Sequence, residues 1–185
     1  MDRSTAEKVA IIGAGIGGCY LVAELGIAGF TLRLHDIDDS KLAEIRAHGG
    51  IDVEGGKAGF AAVERATSDL GSAVNDASVI IVVTGGNTQA LVARSLAPLL
   101  QNGQVILLIQ GNTGGSLIVR RALDDAGCRA NVDVAEMDNY PYSCGVFRRR
   151  EYARSSGSGG CRSRHSQETV LRRYFRACRP YFHAR

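Results

Sequence analysis

A glycine cluster near the N-terminus constrains the fold of this 185-residue chain more than any other feature. Its members are Gly13, Ala14, Gly15, Ile16, Gly17 and Gly18. A short apolar run precedes the cluster, and a stretch with the apolar spacing of a helix follows it. This pattern predicts a strand, a tight turn and a helix, the arrangement with which many α/β proteins bind the pyrophosphate of a dinucleotide.

Asp36 supports that interpretation through its position. It lies 21 residues after Gly15, at the end of the next predicted strand. An acid about 20 residues after the glycines commonly binds the adenosine ribose hydroxyls. A carboxylate would repel the 2′-phosphate of NADP, and no arginine directly follows Asp36, so we expect NAD rather than NADP as the cofactor. A glycine turn without a ligand is the weaker alternative.

The rest of the first 145 residues alternates between buried strands and amphipathic helices. The stretches SVIIVVT and GQVILLIQ are apolar throughout, as expected for parallel strands buried on both faces. Short turns rich in Gly, Asn and Thr separate the strands from the helices. We therefore predict an α/β fold of the Rossmann type, doubly wound around a mainly parallel sheet and occupying residues 1–145.

Two further glycine-rich loops follow buried strands in this pattern. One contains Thr84, Gly85 and Gly86, and the other begins at Gly111 and contains Asn112. Because ligands of open α/β sheets bind at the carboxyl ends of the strands, we expect the first loop to border the cofactor. Ordinary turn chemistry is the alternative, since Gly and Asn serve turns in any protein.

Several smaller expectations concern local structure. The segment IDVEGGKAGFAAVERAT predicts a β-hairpin inserted after the second strand–helix unit. Ser40 and Ser68 are candidate N-caps of the helices that follow them. His35 lies within the second predicted strand, where we expect it to face solvent and to have a structural role.

The composition excludes several classes of site. No run of about 18 apolar residues occurs, so a membrane-spanning helix is not expected and a cytoplasmic location is the default. Five cysteines without a CxxC pair argue against a disulfide framework and against a zinc site. We expect no metal, and the sequence by itself identifies no catalytic residue.

The charge changes sign near residue 145. Residues 1–145 carry 11 Lys and Arg against 17 Asp and Glu, whereas residues 146–185 carry 11 Arg and two Glu. We favour the interpretation that this basic tail is the product of a shifted reading frame or a truncated gene. A disordered extension is the second alternative. A functional arm for nucleic acid or an acidic partner is the third and least favoured.

The motifs together resemble the N-terminal domain of the NAD-dependent opine (octopine/nopaline) dehydrogenase family, whose wider relatives are ketopantoate reductase and glycerol-3-phosphate dehydrogenase. The resemblance covers about residues 8–145. It rests on the glycine loop, on GGIDVEGGKAG, on LAPLLQNGQVILLIQGNTGGSLIVRRALDDAG and on VAEMDNYPYSC. The last two are similar to the family's GxTGG loop and its AE…PY.C segment.

This resemblance implies roles for particular residues. Gly13, Gly15 and Gly18 would hold the pyrophosphate, and Asp36 the adenosine ribose. Thr84 and Gly85 would border the nicotinamide ribose, while Asn112 and Glu136 would lie near the site of hydride transfer. The implied reaction is the reductive condensation of an amino acid with a 2-keto acid.

The chain also departs from the family's pattern. Gly145 stands where the family usually has an arginine after the cysteine of its PY.C segment. The family's second, mostly helical domain, which supplies a His–Asp pair and most substrate contacts, is not evident in the remaining residues. We therefore expect the chain to bind NAD(H), to turn over little by itself and to self-associate through an exposed domain face. A non-catalytic NAD-binding module is the alternative.

Overall fold

A parallel β-sheet forms the centre of the structure, a computed structural model that describes residues 7–53 and 58–137. Within these ranges the strands are β1 (Lys8–Ile12), β2 (Thr31–His35), β3 (Gly50–Val53), β4 (Gly59–Ala62), β5 (Arg65–Thr67), β6 (Val79–Val82), β7 (Val105–Leu108) and β8 (Asp133–Glu136). The helices are α1 (Ile16–Ile27), α2 (Ser40–His48), α3 (Leu70–Val74), α4 (Gln89–Leu96) and α5 (Gly115–Asp125). A single 3-10 turn, Gly86–Thr88, precedes α4.

The order of the strands identifies the architecture. Six strands lie in the order β5-β2-β1-β6-β7-β8, and every neighbouring pair is parallel. The chain first builds outward from β1 to β2 and β5, then returns to the other side of β1 and continues with β6, β7 and β8. That reversal beside β1 is the switch point at which doubly wound sheets bind their ligands. The predicted Rossmann-type α/β fold is confirmed.

Both faces of the sheet are buried, which explains why its central strands are apolar throughout. Successive residues of β1 point to opposite faces, so Val9 and Ile11 belong to one core cluster and Ala10 and Ile12 to the other. Helix α1 covers the first cluster, and helices α4 and α5 cover the second. Strands β6 and β7 contribute buried residues to both clusters.

The predicted hairpin is present, but it accounts for only part of its segment. Strands β3 and β4 pair antiparallel, and β4 packs on α1, where a Cβ on Gly26 would lie 2.7 Å from the Cβ of Ala61. The next residues form β5, a three-residue strand that joins the main sheet beside β2. The sequence analysis missed β5, because so short a strand carries no clear alternation of its own.

Helix α3, which follows β5, explains a wrong expectation about His35. This side chain is 5% exposed rather than facing solvent. Leu34 faces the cluster under α1, so by strand alternation His35 points to the opposite face, which α3 covers. With β1 on one edge and β5 on the other, β2 is an internal strand.

The two serine caps were also assigned one residue away from the observed ones. Asp39 is the N-cap of α2, and Ser40 is the first residue inside that helix. Asp69 is the N-cap of α3, and its carboxylate accepts hydrogen bonds from the N–H groups of Gly71 and Ser72. The predicted domain boundary at residue 145, the Pro141–Cys144 segment and the basic tail lie outside the described residues.

Candidate functional site

The predicted glycine loop connects β1 to α1 at the switch point of the sheet. Gly13 has a φ of +116°, a backbone conformation that residues other than glycine rarely adopt. Its N–H donates to the His35 carbonyl at 2.7 Å. A Cβ on Gly18 would lie 1.8 Å from the carbonyl oxygen of Gly13, so the helix could not pack this closely on the turn with a larger residue. These two glycines shape the turn itself.

Gly15 has a different environment from the other two. A Cβ built on it meets no heavy atom within 4 Å, so the space beside the loop is open at this position. Gly15 is also the N-cap of α1, so this position has no side chain, and no acid lies in the first turn. An open, glycine-lined position at the positive end of a helix fits a pyrophosphate group.

Asp36 is joined directly to this loop. It follows β2, and its Oδ2 accepts a hydrogen bond from the Ala14 N–H at 2.8 Å. Its Oδ1 accepts from the Asp38 N–H at 3.0 Å, and the Lys41 ammonium lies 3.2 Å from both oxygens. The carboxylate is therefore fixed at the carboxyl end of β2, adjacent to the glycines.

The protonation of Asp36 follows from these contacts. Burial acts to raise the pKa of Asp36, but the N–H groups of Asp38 and Ala14 and the Lys41 ammonium outweigh it, so the pKa lies below its usual range. The side chain is an acceptor with a negative charge at neutral pH. That charge suits ribose hydroxyls and disfavours a phosphate in the same place.

The acids that follow Asp36 are occupied by other partners. Asp38 accepts from the N–H and the hydroxyl of Ser40, and Asp39 forms an ion pair with Arg46 at 2.6 Å. Ile37, which directly follows Asp36, is 90% exposed and gives this end of the site an apolar surface.

The second predicted loop lies next to the first, after β6. Gly13 contacts it, since a Cβ there would be 3.0 Å from the Val83 carbonyl oxygen and 3.4 Å from Cγ2 of Thr84. The Thr84 hydroxyl is buried and has no hydrogen-bond partner among the described residues. Gly85 and Gly86 are exposed. This loop thus borders the glycine turn, as expected for neighbouring parallel strands.

Asn112 brings the third loop into the same region. A Cβ on Gly86 would lie 3.2 Å from Nδ2 of Asn112, so the loops after β6 and β7 are in close contact. Asn112 has a φ of 51°, Thr113 of 56° and Gly114 of 108°, which makes three consecutive residues with left-handed backbone. Glu136 reaches this loop from β8, accepting hydrogen bonds from the N–H groups of Gly114 and Ser116 at 2.9 and 2.6 Å.

The fold therefore places all the site residues predicted from sequence at the carboxyl edge of the sheet, in the loops that follow β1, β2, β6 and β7 and at the last residue of β8. Two residues with clear contacts there were not anticipated. Lys41 pairs with Asp36 from the first turn of α2, and Gln89, 2% exposed, donates to the Gln110 carbonyl at 2.6 Å. A lysine five residues after the acid is visible in the sequence, whereas nothing marks Gln89 as buried.

Other kinds of site are not found in the part of the chain that the structure describes. Within residues 7–53 and 58–137, no group of three or more His, Cys, Asp or Glu could hold a metal ion. Cys19 and Cys128, the cysteines in these ranges, are not in disulfides. None of the described helices has the length and hydropathy required to cross a membrane.

Comparison with known proteins agrees with this geometry. The ketopantoate reductase PanE/ApbA family matches residues 9–130. The chain belongs to this family. An opine dehydrogenase of Arthrobacter sp. (strain 1C) is 37% identical to this ketopantoate reductase family member over 140 residues, which cover 75% of the chain and 39% of the relative. The resemblance inferred from the motifs is confirmed, and the chain spans about two-fifths of that relative's length.

Solved structures show the same fold in other dehydrogenases. Octopine dehydrogenase in complex with NADH and agmatine superposes on this family member with a TM-score of 0.64 at 19% identity, covering 76% of this chain and 37% of that one. Glycerol-3-phosphate dehydrogenase from Coxiella burnetii gives a TM-score of 0.54 at 22% identity, covering 71% and 40%. At such identities the likeness shows the shared architecture.

The contrast between Gly18 and Gly15 gives a test of the loop. Gly18→Ala should lower the free energy of unfolding by about 2 kcal/mol or more, because the new Cβ overlaps the Gly13 carbonyl. Gly15→Ala should change it by less than about 1 kcal/mol, since its Cβ enters open space. Urea denaturation followed by circular dichroism measures both. Equal losses in the two variants would contradict the loop geometry.

Proposed function

We propose that this chain is the NAD(H)-binding part of an oxidoreductase of the opine dehydrogenase type. The observation that carries the proposal is the junction of Asp36 with the glycine loop. The Ala14 N–H donates to the carboxylate of Asp36, next to an open glycine at the N-terminus of α1. A ribose acceptor and a pyrophosphate position are thus held in a fixed relation at the switch point of the sheet. The identity of 37% to an opine dehydrogenase supports the same reaction class.

Each loop at the carboxyl edge has a part in this proposal. The residues of the glycine cluster would contact the pyrophosphate, and Asp36 the adenosine ribose. Thr84, Gly85 and Gly86 would lie beside the nicotinamide half, where the buried Thr84 hydroxyl has hydrogen-bonding capacity to offer. Asn112 would lie at the substrate side. When bound, the cofactor supplies the hydride for the reductive condensation of an amino acid with a 2-keto acid.

A first test is the affinity for NADH measured by isothermal titration calorimetry. Asp36→Ala should weaken binding at least about tenfold, because it removes both the ribose acceptor and the anchor of the Ala14 N–H. Gly15→Val should abolish detectable binding, because its side chain would fill the open position beside α1. Unchanged affinity in both variants would refute the cofactor assignment. Asp133→Ala, at an exposed acid on β8, is the control and should bind normally.

The Asp36–Lys41 pair makes a second prediction about the choice of cofactor. Asp36→Asn keeps an acceptor for the Ala14 N–H but leaves the Lys41 ammonium without its carboxylate partner. Lys41 is about half exposed and would then attract a 2′-phosphate, so the preference for NADH over NADPH should fall by on the order of tenfold.

The control for this prediction is the double variant Asp36→Asn with Lys41→Gln. It should lose the gain in NADPH affinity while keeping whatever NADH affinity Asp36→Asn retains. The measurement is the ratio of the dissociation constants for NADPH and NADH, determined for each variant at one ionic strength. A ratio that is the same in the unchanged chain and in Asp36→Asn would show that the carboxylate does not select against NADP.

Turnover separates an enzyme from a binding module. A parallel sheet presents its loops along one edge, so the described residues supply one wall of a substrate pocket, and orientation requires groups on both sides. We therefore expect the 185-residue chain to bind NADH but to oxidise it slowly or not at all with an amino acid and pyruvate. The absorbance of NADH measures this, with Gly15→Val as the background. Rapid oxidation that requires Gly15 would contradict the expectation and establish a complete active site.

A further inference from the structure

Glu136, which the resemblance implied to lie near the site of hydride transfer, is bound by the backbone of a neighbouring loop. It is the last residue of β8, and both oxygens of its carboxylate accept hydrogen bonds from backbone N–H groups. Oε1 accepts from Gly114 and Oε2 from Ser116. Since α5 begins at Gly115 without a cap from its own N-cap side chain, the carboxylate from β8 takes that place. These hydrogen bonds hold the pKa of Glu136 below its usual range.

The loop that Glu136 reaches has an unusual backbone. Asn112 and Thr113 both have positive φ, and Gly114 continues the left-handed run. Asn tolerates this conformation better than most residues with a Cβ, but a β-branched residue such as Thr113 adopts it rarely. External attachments would therefore help the loop to hold Thr113, and with it Asn112, in one position.

Two side chains from other elements provide such attachments. Glu136 packs so closely that a Cβ on Gly111 would lie 2.4 Å from the Cβ of Glu136. The buried amide of Gln89 donates to the Gln110 carbonyl, and its oxygen lies 2.7 Å from the Cβ position of Gly115. The glycines at both ends of the loop are thus required by the two side chains that hold it.

We propose that Glu136 is a positioning residue, which fixes the loop from Gly111 to Gly115 so that Asn112 stays against Gly86. Its effect on the reaction is exerted through Asn112, and the carboxylate does not contact the substrate. This inference rests on the proposed function, because Asn112 has a role only if the nicotinamide end of the cofactor lies at these loops.

One consequence concerns the negative charges of the substrates. The N-terminus of a helix of this length attracts anions, and a 2-keto acid and an amino acid each carry a carboxylate. In this chain Glu136 occupies that position at α5. A substrate carboxylate is therefore excluded from it and must find its cation elsewhere.

Chemical rescue tests the proposal. Glu136→Ala should increase hydrogen exchange at the amides of Gly114 and Ser116 by on the order of tenfold, while the amides of β7 keep their protection. Affinity for NADH should fall by several-fold. Added acetate should restore both protection and affinity in part, because its carboxylate can occupy the position left by the side chain. Chloride at the same ionic strength is the control and should restore neither.

Two further variants make the result specific. Glu136→Gln retains the shape but presents an NH₂ group to one of the two N–H donors, so it should resemble Glu136→Ala without responding to acetate. Asp133→Ala, on the same strand, should leave exchange and affinity unchanged. Exchange is measured for each residue by NMR, so loss of the global fold in a variant would show as lost protection of the β7 amides. If Glu136→Ala fails to fold, the unchanged chain is compared with Glu136→Gln instead.

The possible outcomes are distinct. Unchanged exchange at Gly114 and Ser116 in both Glu136 variants would overturn the proposal. So would lost NADH affinity with unchanged exchange, which would make Glu136 a direct contact of the ligand. An unchanged chain that binds no NADH would refute the proposed function, whereas the exchange data would still decide whether Glu136 holds the loop.

Discussion

The pairing of β1 with a parallel strand on each side is the constraint on which the rest of the structure depends. The chain leaves β1 through Gly13, whose N–H is bonded to the carbonyl of His35 at the end of β2, while the Val83 N–H after β6 donates to the Ile12 carbonyl. Three strand ends are therefore locked together within a few residues. The loops that follow them have no freedom to separate, and any ligand that binds one of them meets the others. The location of the candidate site is a consequence of strand order before any side chain is considered.

The features of this arrangement that could be predicted are those with a pronounced local sequence pattern. The glycine cluster, the spacing to Asp36 and the fully apolar strands β6 and β7 each follow from a rule that acts over a short stretch of sequence. The burial of His35 depends instead on α3, which covers that face of β2, and the existence of β5 depends on a contact between segments about thirty residues apart, in which Arg33 to His35 pair with Arg65 to Thr67. No local period encodes that pairing. The same is true of Gln89 and of the contact between Glu136 and α5, whose partners lie some twenty residues away along the chain.

Asp36 shows how one group can serve folding and binding together. Its carboxylate stabilises the backbone of the glycine loop through Ala14 and is itself kept ionised by N–H donors and by Lys41. A carboxylate has about four acceptor positions. The N–H groups of Ala14 and Asp38 and the Lys41 ammonium, which lies 3.2 Å from both oxygens, take up these positions, so a ribose hydroxyl would have to replace a bond to Lys41. Lys41, which compensates the charge of the carboxylate, is 47% exposed. We therefore expect the choice between a ribose hydroxyl and a phosphate at this position to depend on both charges, that of Asp36 and that of Lys41.

The two ends of the row of loops differ in how their helix N-termini are used. Near β1 and β2, the site is built from glycines and from the N-terminus of α1, whose N-cap Gly15 has no side chain, so the space beside it is open. Near β7 and β8, the corresponding helix N-terminus is filled by Glu136, and the positive potential of α5 is used inside the protein. A cofactor with its phosphates near α1 and the neutral dihydronicotinamide ring of NADH toward α5 would match this difference. The glycine N-cap of α1 has open space beside it, whereas the N-terminus of α5 is closed by a carboxylate, and this gives the edge of the sheet a direction that a symmetric row of glycine loops would lack.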